Sequence, residues 1–101
     1  MVNIYIPFFD YWNEKLLGDI KVCTSRVKQY GKVGDTFNWA GGVFEITKIE
    51  KVELSVVRDK YWKDEGCDSP EHFVKIWGNI HHKKGFVPDQ VVWLHHFKKV
   101  S

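Results

Sequence analysis

The chain contains 101 residues, a length that predicts one domain spanning residues 1–101. Hydrophobic residues make up 44% of the sequence and aromatic residues 16%, so the composition favours a packed globule over a disordered chain. The net charge of +2 is too small to indicate nucleic-acid binding by itself.

The first residues and the apolar runs of the sequence predict the cellular location of the protein. The first residues lack a basic segment followed by a long apolar core, so we predict no signal peptide. No apolar run reaches the roughly 20 residues that a membrane span requires. We therefore expect a cytoplasmic protein with no membrane partner, in which the two cysteines, Cys23 and Cys67, are free thiols.

The first part of the chain predicts a strand, a helix and a second strand. Residues 2–6 alternate apolar and polar side chains, as in a short strand. Pro7 suits the first position of a helix and Gly18 suits its end, and four apolar residues between them follow helical spacing: Phe8, Tyr11, Trp12 and Leu16. Residues 21–27 contain β-branched side chains and predict the second strand.

The remaining elements are predicted from turn residues and helix caps. In chain order they are a loop (28–35), two strands (36–39 and 43–54) joined by a hairpin turn (40–42), two helices, a loop (81–90) and a final strand (91–100). Ser55 is the predicted N-cap of the first helix, over residues 56–65, which ends at Gly66. Ser69 and Pro70 begin the second helix. This order predicts an α+β fold, a small mixed or barrel-like sheet of about five or six strands with two to three flanking helices.

Histidine and cysteine could serve a metal site or a nucleophile, but their spacing favours neither. The adjacent pairs His81-His82 and His95-His96 place neighbouring side chains apart, and the cysteines show no Cys-x-x-Cys spacing. We therefore predict no metal site and no cofactor. A lone cysteine in an apolar-flanked strand, such as Cys23, is more often a small buried hydrophobe than a nucleophile.

Basic and aromatic residues are interleaved in two parts of the sequence. Four lysines and one arginine are candidate phosphate contacts, and two aromatic residues are candidate platforms for base stacking: Arg26, Lys28, Lys32, Lys83, Lys84, Tyr30 and Trp39. Ordinary solvated lysines explain the same pattern equally well.

Lys21 and Thr24 form the sharpest chemical pair in the sequence. A threonine hydroxyl is a weak nucleophile that needs a base, and a lysine can be that base when burial or a neighbouring cation disfavours its charged form. Glu65 and Glu71 are the candidate carboxylates that would hold the lysine or move a proton. Because Lys21 and Thr24 face opposite sides of a regular strand, their cooperation requires a bend between them, or a Lys21 that lies in the preceding loop.

Several motifs together resemble the ASCH domain of the PUA-like superfamily, over nearly the whole chain. They are the run Lys21-x-x-Thr24-x-Arg26 after a helix ending in Gly18, the turn Gly31-Lys32-Val33-Gly34-Asp35, the helix end Asp64-Glu65-Gly66, the start Ser69-Pro70-Glu71 and the final strand 92–97. The resemblance implies a small β-barrel with helices beside it, a cleft next to the lysine motif and RNA-related roles. A bacterial branch of similar length hydrolyses N4-acylated cytidines, and its catalytic lysine, threonine and glutamate correspond to Lys21, Thr24 and Glu65.

This resemblance gives a first hypothesis and two alternatives. The first is an amidohydrolase whose cleft binds a modified nucleoside and cleaves the N4-acyl group, with Arg26 in the cleft and a stacking aromatic from Tyr30 or Trp39. The second is a non-catalytic RNA-binding module, in which Lys28, Lys32 and the lysines at 83 and 84 widen the basic patch. The third is a metal-independent ribonuclease in the same cleft. The sequence leaves the oligomeric state open.

Overall fold

The computed structural model describes residues 2–101, which form a mixed β-sheet with short helices beside it. The five strands are β1 (Asn3–Ile4), β2 (Cys23–Arg26), β3 (Thr36–Trp39), β4 (Gly42–Glu53) and β5 (Val91–Lys99). Their order across the sheet is β1-β3-β4-β5-β2, and only the pair β1–β3 is parallel. The predicted α+β class and the five-stranded mixed sheet are confirmed.

The sheet is open, and it is not the closed barrel that the resemblance implied. The edge strands β1 and β2 contain two and four residues, and neither pairs with the other within residues 2–101. A sheet closes into a barrel only when its edge strands are long enough to tilt and pair with each other. These edge strands are too short for that. One consequence is that β2, which carries Thr24, is an edge strand with one long-range neighbour, β5.

The first two helices are shorter than predicted. A 3₁₀ turn (Asp10–Trp12) leads into α1 (Asn13–Leu17), so the predicted start at Pro7 is wrong, because the backbone at Phe9 is still extended. The next helix, α2 (Leu54–Val56), continues as a π-helical segment (Val57–Tyr61). Ser55 lies inside α2 and does not cap it, which corrects the predicted N-cap. Gly66 has a φ of 88°, and this left-handed conformation explains why glycine ends the segment.

The third helix, α3 (Pro70–Ile80), begins where its cap residues predict. The Ser69 Oγ accepts a hydrogen bond of 3.0 Å from the backbone N–H of His72, and Pro70 occupies the first helical position. The apolar face of α3 is buried at Phe73 and Trp77, whereas Ile80 at its end is 45% exposed. Phe73 and Trp77 join the hydrophobic core, and apolar side chains of α3 line the same cavity as Thr24 and Ser25 of β2. Residues 2–101 contain no helix that is both long and apolar enough to cross a membrane.

We expect Ser69→Ala to lower the free energy of unfolding by about 1 kcal/mol, because the variant loses the side-chain acceptor for an otherwise unpaired helical N–H. Ser55→Ala is the matched control, since Ser55 lies within α2 and caps no helix; its stability should stay within about 0.5 kcal/mol of the parent protein. Urea denaturation measures both. Equal effects of the two substitutions would contradict the capping assignment.

The core is built around three aromatic rings on neighbouring strands. Phe37 of β3 stacks on Phe44 of β4 with ring centroids 5.2 Å apart, and Phe97 of β5 meets both rings edge-on. A shift in register between Ile46 and Lys48 bends β4 where it pairs with β5. This rigid centre fixes β5, and β5 in turn fixes β2 through the pairing of Thr24 with His95.

Candidate active site

Lys21 lies in the loop that joins α1 to β2. The backbone N–H groups of Ile20 and Lys21 both donate to the Lys15 carbonyl, at 2.8 and 2.9 Å, and Val22 N–H donates to the Asp64 carbonyl at 2.8 Å. These bonds turn the chain sharply before β2 starts at Cys23. Of the two arrangements open from the sequence, the structure has the second: Lys21 precedes the strand, so strand alternation does not separate it from Thr24.

Lys21 and Glu65 form a buried ion pair. The Lys21 Nζ donates to the Glu65 Oε1 and to the Glu65 carbonyl oxygen, both at 2.8 Å, and the two residues are 3% and 5% exposed. The Lys21 ammonium also lies 4.4 Å from the ring centroid of Trp12. Gly66 leaves room for this arrangement, since a Cβ there would lie 3.0 Å from Trp12 and 3.1 Å from the Lys21 Cβ.

Ser25 binds the other oxygen of the same carboxylate, and sequence reasoning did not predict this residue. Its hydroxyl donates to the Glu65 Oε2 at 2.6 Å, and the side chain is buried. Both oxygens of Glu65 are therefore occupied, one by a cation and one by a hydroxyl. Strand alternation places Ser25 opposite Thr24, so periodicity gave no signal for their joint presence at one site.

Thr24 and Arg26 are joined by a hydrogen bond. The Arg26 Nε donates to the Thr24 Oγ1 at 3.0 Å, and an Arg26 Nη2 donates to the Pro7 carbonyl at 2.7 Å. The guanidinium lies between two aromatic rings, 4.9 Å from the Phe8 centroid and 5.5 Å from the Tyr30 centroid. Because the Thr24 Oγ1 accepts from Arg26, its own proton remains available for donation.

These side chains surround a cavity of about 300 Å³ between β2, the helical turn before α1, and α3. Five of the predicted site residues line it: Lys21, Thr24, Arg26, Tyr30 and Glu65. The opposite wall is mainly apolar and comes from α3 and the segment before α1: Phe8, Phe9, Phe73, Ile76, Trp77 and Ile80. Glu65 rather than Glu71 reaches the cavity, since Glu71 is exposed in the first turn of α3.

The other predicted binding residues lie outside this cavity. Trp39 donates from its Nε1 to the Asn13 Oδ1 at 2.7 Å and packs against Phe8. Lys28 is exposed, with its ammonium 5.2 Å from the Tyr30 ring centroid. The lysines at 32, 83 and 84 are exposed in loops. A shared surface for all seven predicted contacts is therefore not formed around the cavity.

The whole chain superimposes on solved structures. An ASCH domain from Lactobacillus crispatus JV V101 is 19% identical, with a TM-score of 0.67 over 97% of this chain and 78% of that chain. This chain has the ASCH-domain fold. A DUF984 protein from Enterococcus faecalis V583 is 16% identical, with a TM-score of 0.66 over 98% of this chain and 75% of that one. The hypothetical protein PH0355 is 13% identical, with a TM-score of 0.68 over 98% and 96%.

The sequence by itself is distant from known families. No family model matches it, and no curated protein matches it. At identities of 13–19%, the structural similarity shows a shared fold.

The two cysteines of this ASCH-domain fold are free and buried. Burial raises the pKa of Cys23 well above its ordinary value, with Glu65 adding to the rise, and burial together with Glu65 raises the pKa of Cys67 to about 11. Both thiols therefore favour the protonated form near neutral pH, which argues against the thiolate nucleophile considered from the sequence. Among residues 2–101, no group of three or more His, Cys, Asp and Glu side chains is placed to hold a metal ion.

His95 of the ASCH-domain sheet fixes the backbone on both sides of Arg26. It is fully buried, its Nε2 accepts from the backbone N–H of Tyr30 at 2.9 Å, and its Nδ1 lies 3.2 Å from the Thr24 carbonyl oxygen. A backbone N–H can only donate and a carbonyl can only accept, so these partners assign the neutral imidazole with its proton on Nδ1. Burial lowers the pKa of His95, and its bond to the Thr24 carbonyl offsets part of the lowering.

We expect this histidine to make stability depend on pH. The unfolded chain takes up a proton on His95 near pH 6.5, whereas the folded protein resists protonation until a lower pH. The free energy of unfolding therefore falls as the pH drops below about 6.5, by up to about 1.4 kcal/mol per pH unit for one proton, and is unaffected by this group above about pH 7.5. Urea denaturation between pH 8 and 5 measures the slope.

His95→Gln should flatten this slope, and His82→Gln is the control because His82 is exposed. The control should keep the pH dependence of the parent protein. A parallel slope in His95→Gln and the parent protein would show that another group causes the acid sensitivity.

Proposed function

We propose that the protein is an amidohydrolase that cleaves an N4-acylated cytidine, with Lys21, Thr24 and Glu65 as its catalytic residues. The observation that carries the proposal is the buried Lys21–Glu65 pair, at 2.8 Å, in a cavity that Thr24 also lines. Buried ion pairs in a cleft are typical of sites that move protons. A lysine and a carboxylate that serve only stability are more often exposed.

The cavity suits a small planar ligand with one reactive polar end. Its volume of about 300 Å³ lies at the lower end of small-molecule sites. Apolar and aromatic side chains form one wall, and the polar groups gather at β2 and Glu65. We place the pyrimidine ring against the aromatic wall, next to Tyr30, with the acyl group directed toward Thr24. Trp39, the other aromatic predicted to stack on the base, points instead to Asn13 and so has no part in this proposal.

The ion pair supplies the base through one proton transfer. As an ammonium, Lys21 is a donor; when its proton passes along the 2.8 Å bond to the Glu65 Oε1, it becomes a neutral amine and Glu65 a carboxylic acid. The amine then removes the proton of the Thr24 hydroxyl as its oxygen attacks the acyl carbon. No hydrogen bond joins Lys21 to Thr24 among the described residues, so a water or a rotation of the lysine side chain completes this contact in the substrate complex.

Collapse of the tetrahedral intermediate breaks the bond between the acyl carbon and N4. Glu65 returns its proton to the leaving nitrogen, which gives cytidine, an ester on Thr24 and the restored ion pair. In the second half-reaction Lys21 again passes a proton to Glu65. The resulting amine takes a proton from water, whose oxygen attacks the ester, and Glu65 protonates the departing Thr24 oxygen, which restores the ion pair. The sum is one amide plus one water giving one amine plus one carboxylic acid.

We expect the protein to release cytidine from N4-acetylcytidine, and Glu65→Gln to abolish the release, because a glutamine neither accepts nor returns the proton. Chromatography of the nucleosides measures both rates. Glu71→Gln is the matched control; this glutamate is exposed outside the cavity and its variant should turn over at the parent rate. A folded parent protein that leaves N4-acetylcytidine intact would overturn the proposal.

An open groove favours a second candidate function, the binding of single-stranded RNA without catalysis. The groove adjoins the cavity and shares Phe9 with it, and exposed Tyr11 and Lys75 also line it. Exposed aromatic rings beside a cation suit base stacking with phosphate contact. The test is a titration of an oligoribonucleotide at 50 and 200 mM salt. An affinity that falls steeply with salt supports this function, and a salt-independent one argues against it. The same samples report cleavage if the ribonuclease alternative holds.

A further inference from the structure

Arg26 is a charged group of the cavity wall without an oppositely charged partner among residues 2–101. It is half-buried, and both of its hydrogen-bond acceptors, the Thr24 hydroxyl and the Pro7 carbonyl, are neutral. No described carboxylate oxygen lies within 4 Å of its guanidinium. Burial lowers the pKa of Arg26, and Tyr30 and Glu65 offset only part of the lowering. The charge is therefore poorly compensated by the protein itself.

The other ionisable groups of the wall do not compensate it. Glu65 is neutralised by its direct bond to Lys21, and its second oxygen accepts from Ser25. The Cys67 thiol is protonated at neutral pH because burial raises its pKa to about 11. His81 adds no negative charge, and burial and then Arg26 lower its pKa. The cavity wall thus carries a net charge of about +1 at neutral pH, located on Arg26.

We propose that Arg26 forms a phosphate subsite, so that this cavity binds a nucleotide more tightly than the corresponding uncharged nucleoside. This inference rests on the proposed function and specifies its substrate. Two of the five N–H donors of the guanidinium are occupied by Thr24 and Pro7, which leaves donors for the oxygens of a phosphate. The rings of Phe8 and Tyr30 restrict the guanidinium plane, so little side-chain freedom is lost when the anion binds.

The test compares the binding of each of four nucleosides (cytidine, uridine, adenosine and guanosine) with that of its 5′-monophosphate, and adds cytidine 3′-monophosphate and the dinucleotide CpC. Isothermal titration calorimetry at fixed salt gives each Kd for the parent protein, Arg26→Gln and Lys28→Gln. Lys28→Gln removes one positive charge two residues away and outside the cavity, so it controls for long-range attraction. We expect the phosphate to improve affinity by about tenfold to a hundredfold in the parent protein and in Lys28→Gln. In Arg26→Gln, the ratio of the nucleoside Kd to the monophosphate Kd should fall to near one.

Each outcome of the calorimetry either supports or overturns the phosphate subsite. Tighter binding of the monophosphates alone supports a free nucleotide, and equal tightening by CpC supports a phosphate within a strand. Four outcomes would overturn the subsite. They are no phosphate preference, a preference that survives Arg26→Gln, a preference that Lys28→Gln removes to the same extent, and no binding of any ligand. The assay uses no acylated compound. A phosphate preference without turnover of N4-acetylcytidine therefore rejects the hydrolase while keeping the subsite, and turnover without the preference does the reverse.

Discussion

Lys21→Met should lower the free energy of unfolding by about 3–5 kcal/mol, the largest stability effect that we expect from the removal of one charge in this protein. The substitution keeps the length of the side chain but removes the cation that lies 2.8 Å from the Glu65 Oε1. Both residues are almost fully buried, so water cannot replace the lost partner without opening the cavity. Ser25 still donates one hydrogen bond, which compensates only part of the charge.

The matched control is Lys48→Met. Lys48 also pairs with a glutamate, Glu50 at 3.6 Å, but its side chain is 63% exposed. Such a surface pair contributes about 0–1 kcal/mol, so the control should change stability by no more than that. Urea denaturation at pH 7 compares the two variants. If both substitutions had the same small cost, the Lys21–Glu65 pair would not be buried in solution.

A double variant separates the pair from the shape of the site. Lys21→Met combined with Glu65→Gln removes the uncompensated carboxylate, and we expect it to be more stable than Lys21→Met alone. The double-mutant cycle should therefore return a coupling free energy of about 2–3 kcal/mol between the two positions. This measurement does not depend on any substrate, so it tests the geometry of the site even if the proposed reaction fails.

Elements whose boundaries are set by neighbouring residues were predicted from the sequence. The cap formed by Ser69 and Pro70 and the strands around the glycine hairpin are encoded by neighbouring residues, and they lie where the pattern puts them. The aromatic spacing from Phe8 onward also suits a helix, yet the chain stays extended there, because Phe8 packs on Phe37 and Phe97 of the sheet. Tertiary packing therefore determines where the first helix begins, and the periodicity of the sequence does not contain this information.

The candidate site also contains residues that the sequence predicted and residues that it did not. The chemistry of the residue types and the motif resemblance, not periodicity, placed Lys21, Thr24 and Glu65 together, and in the structure they line one cavity. Ser25 and His95 escaped prediction because their partners are distant in sequence: Ser25 binds a carboxylate 40 residues away, and His95 binds backbone groups 65 and 71 residues away. The His95 contacts depend on the pairing of β2 with β5, and the Ser25 contact depends on the packing of residues 64–65 against the start of β2. No single stretch of sequence specifies either arrangement.

Thr24→Val should reduce the turnover of N4-acetylcytidine by at least about a thousandfold, because it removes the proposed nucleophile while keeping the size and shape of the side chain. Valine keeps the β-branched form that suits strand β2 but removes the attacking oxygen. It also removes the acceptor of the 3.0 Å bond from the Arg26 Nε, which should cost about 1–2 kcal/mol of stability without unfolding the protein. Thr24→Ser restores a hydroxyl and should keep activity within about tenfold of the parent.

Ser25→Ala decides whether the neighbouring hydroxyl has the same role. Ser25 donates to the Glu65 Oε2 at 2.6 Å, so in the proposed mechanism it positions the carboxylate and does not attack the substrate. Its loss loosens Glu65 and should lower turnover by about a hundredfold or less. The opposite ranking, with Ser25→Ala inactive and Thr24→Val active, would assign the nucleophile to Ser25. Equal and small effects of both would remove a covalent intermediate from the mechanism and leave the Lys21–Glu65 pair to activate water directly.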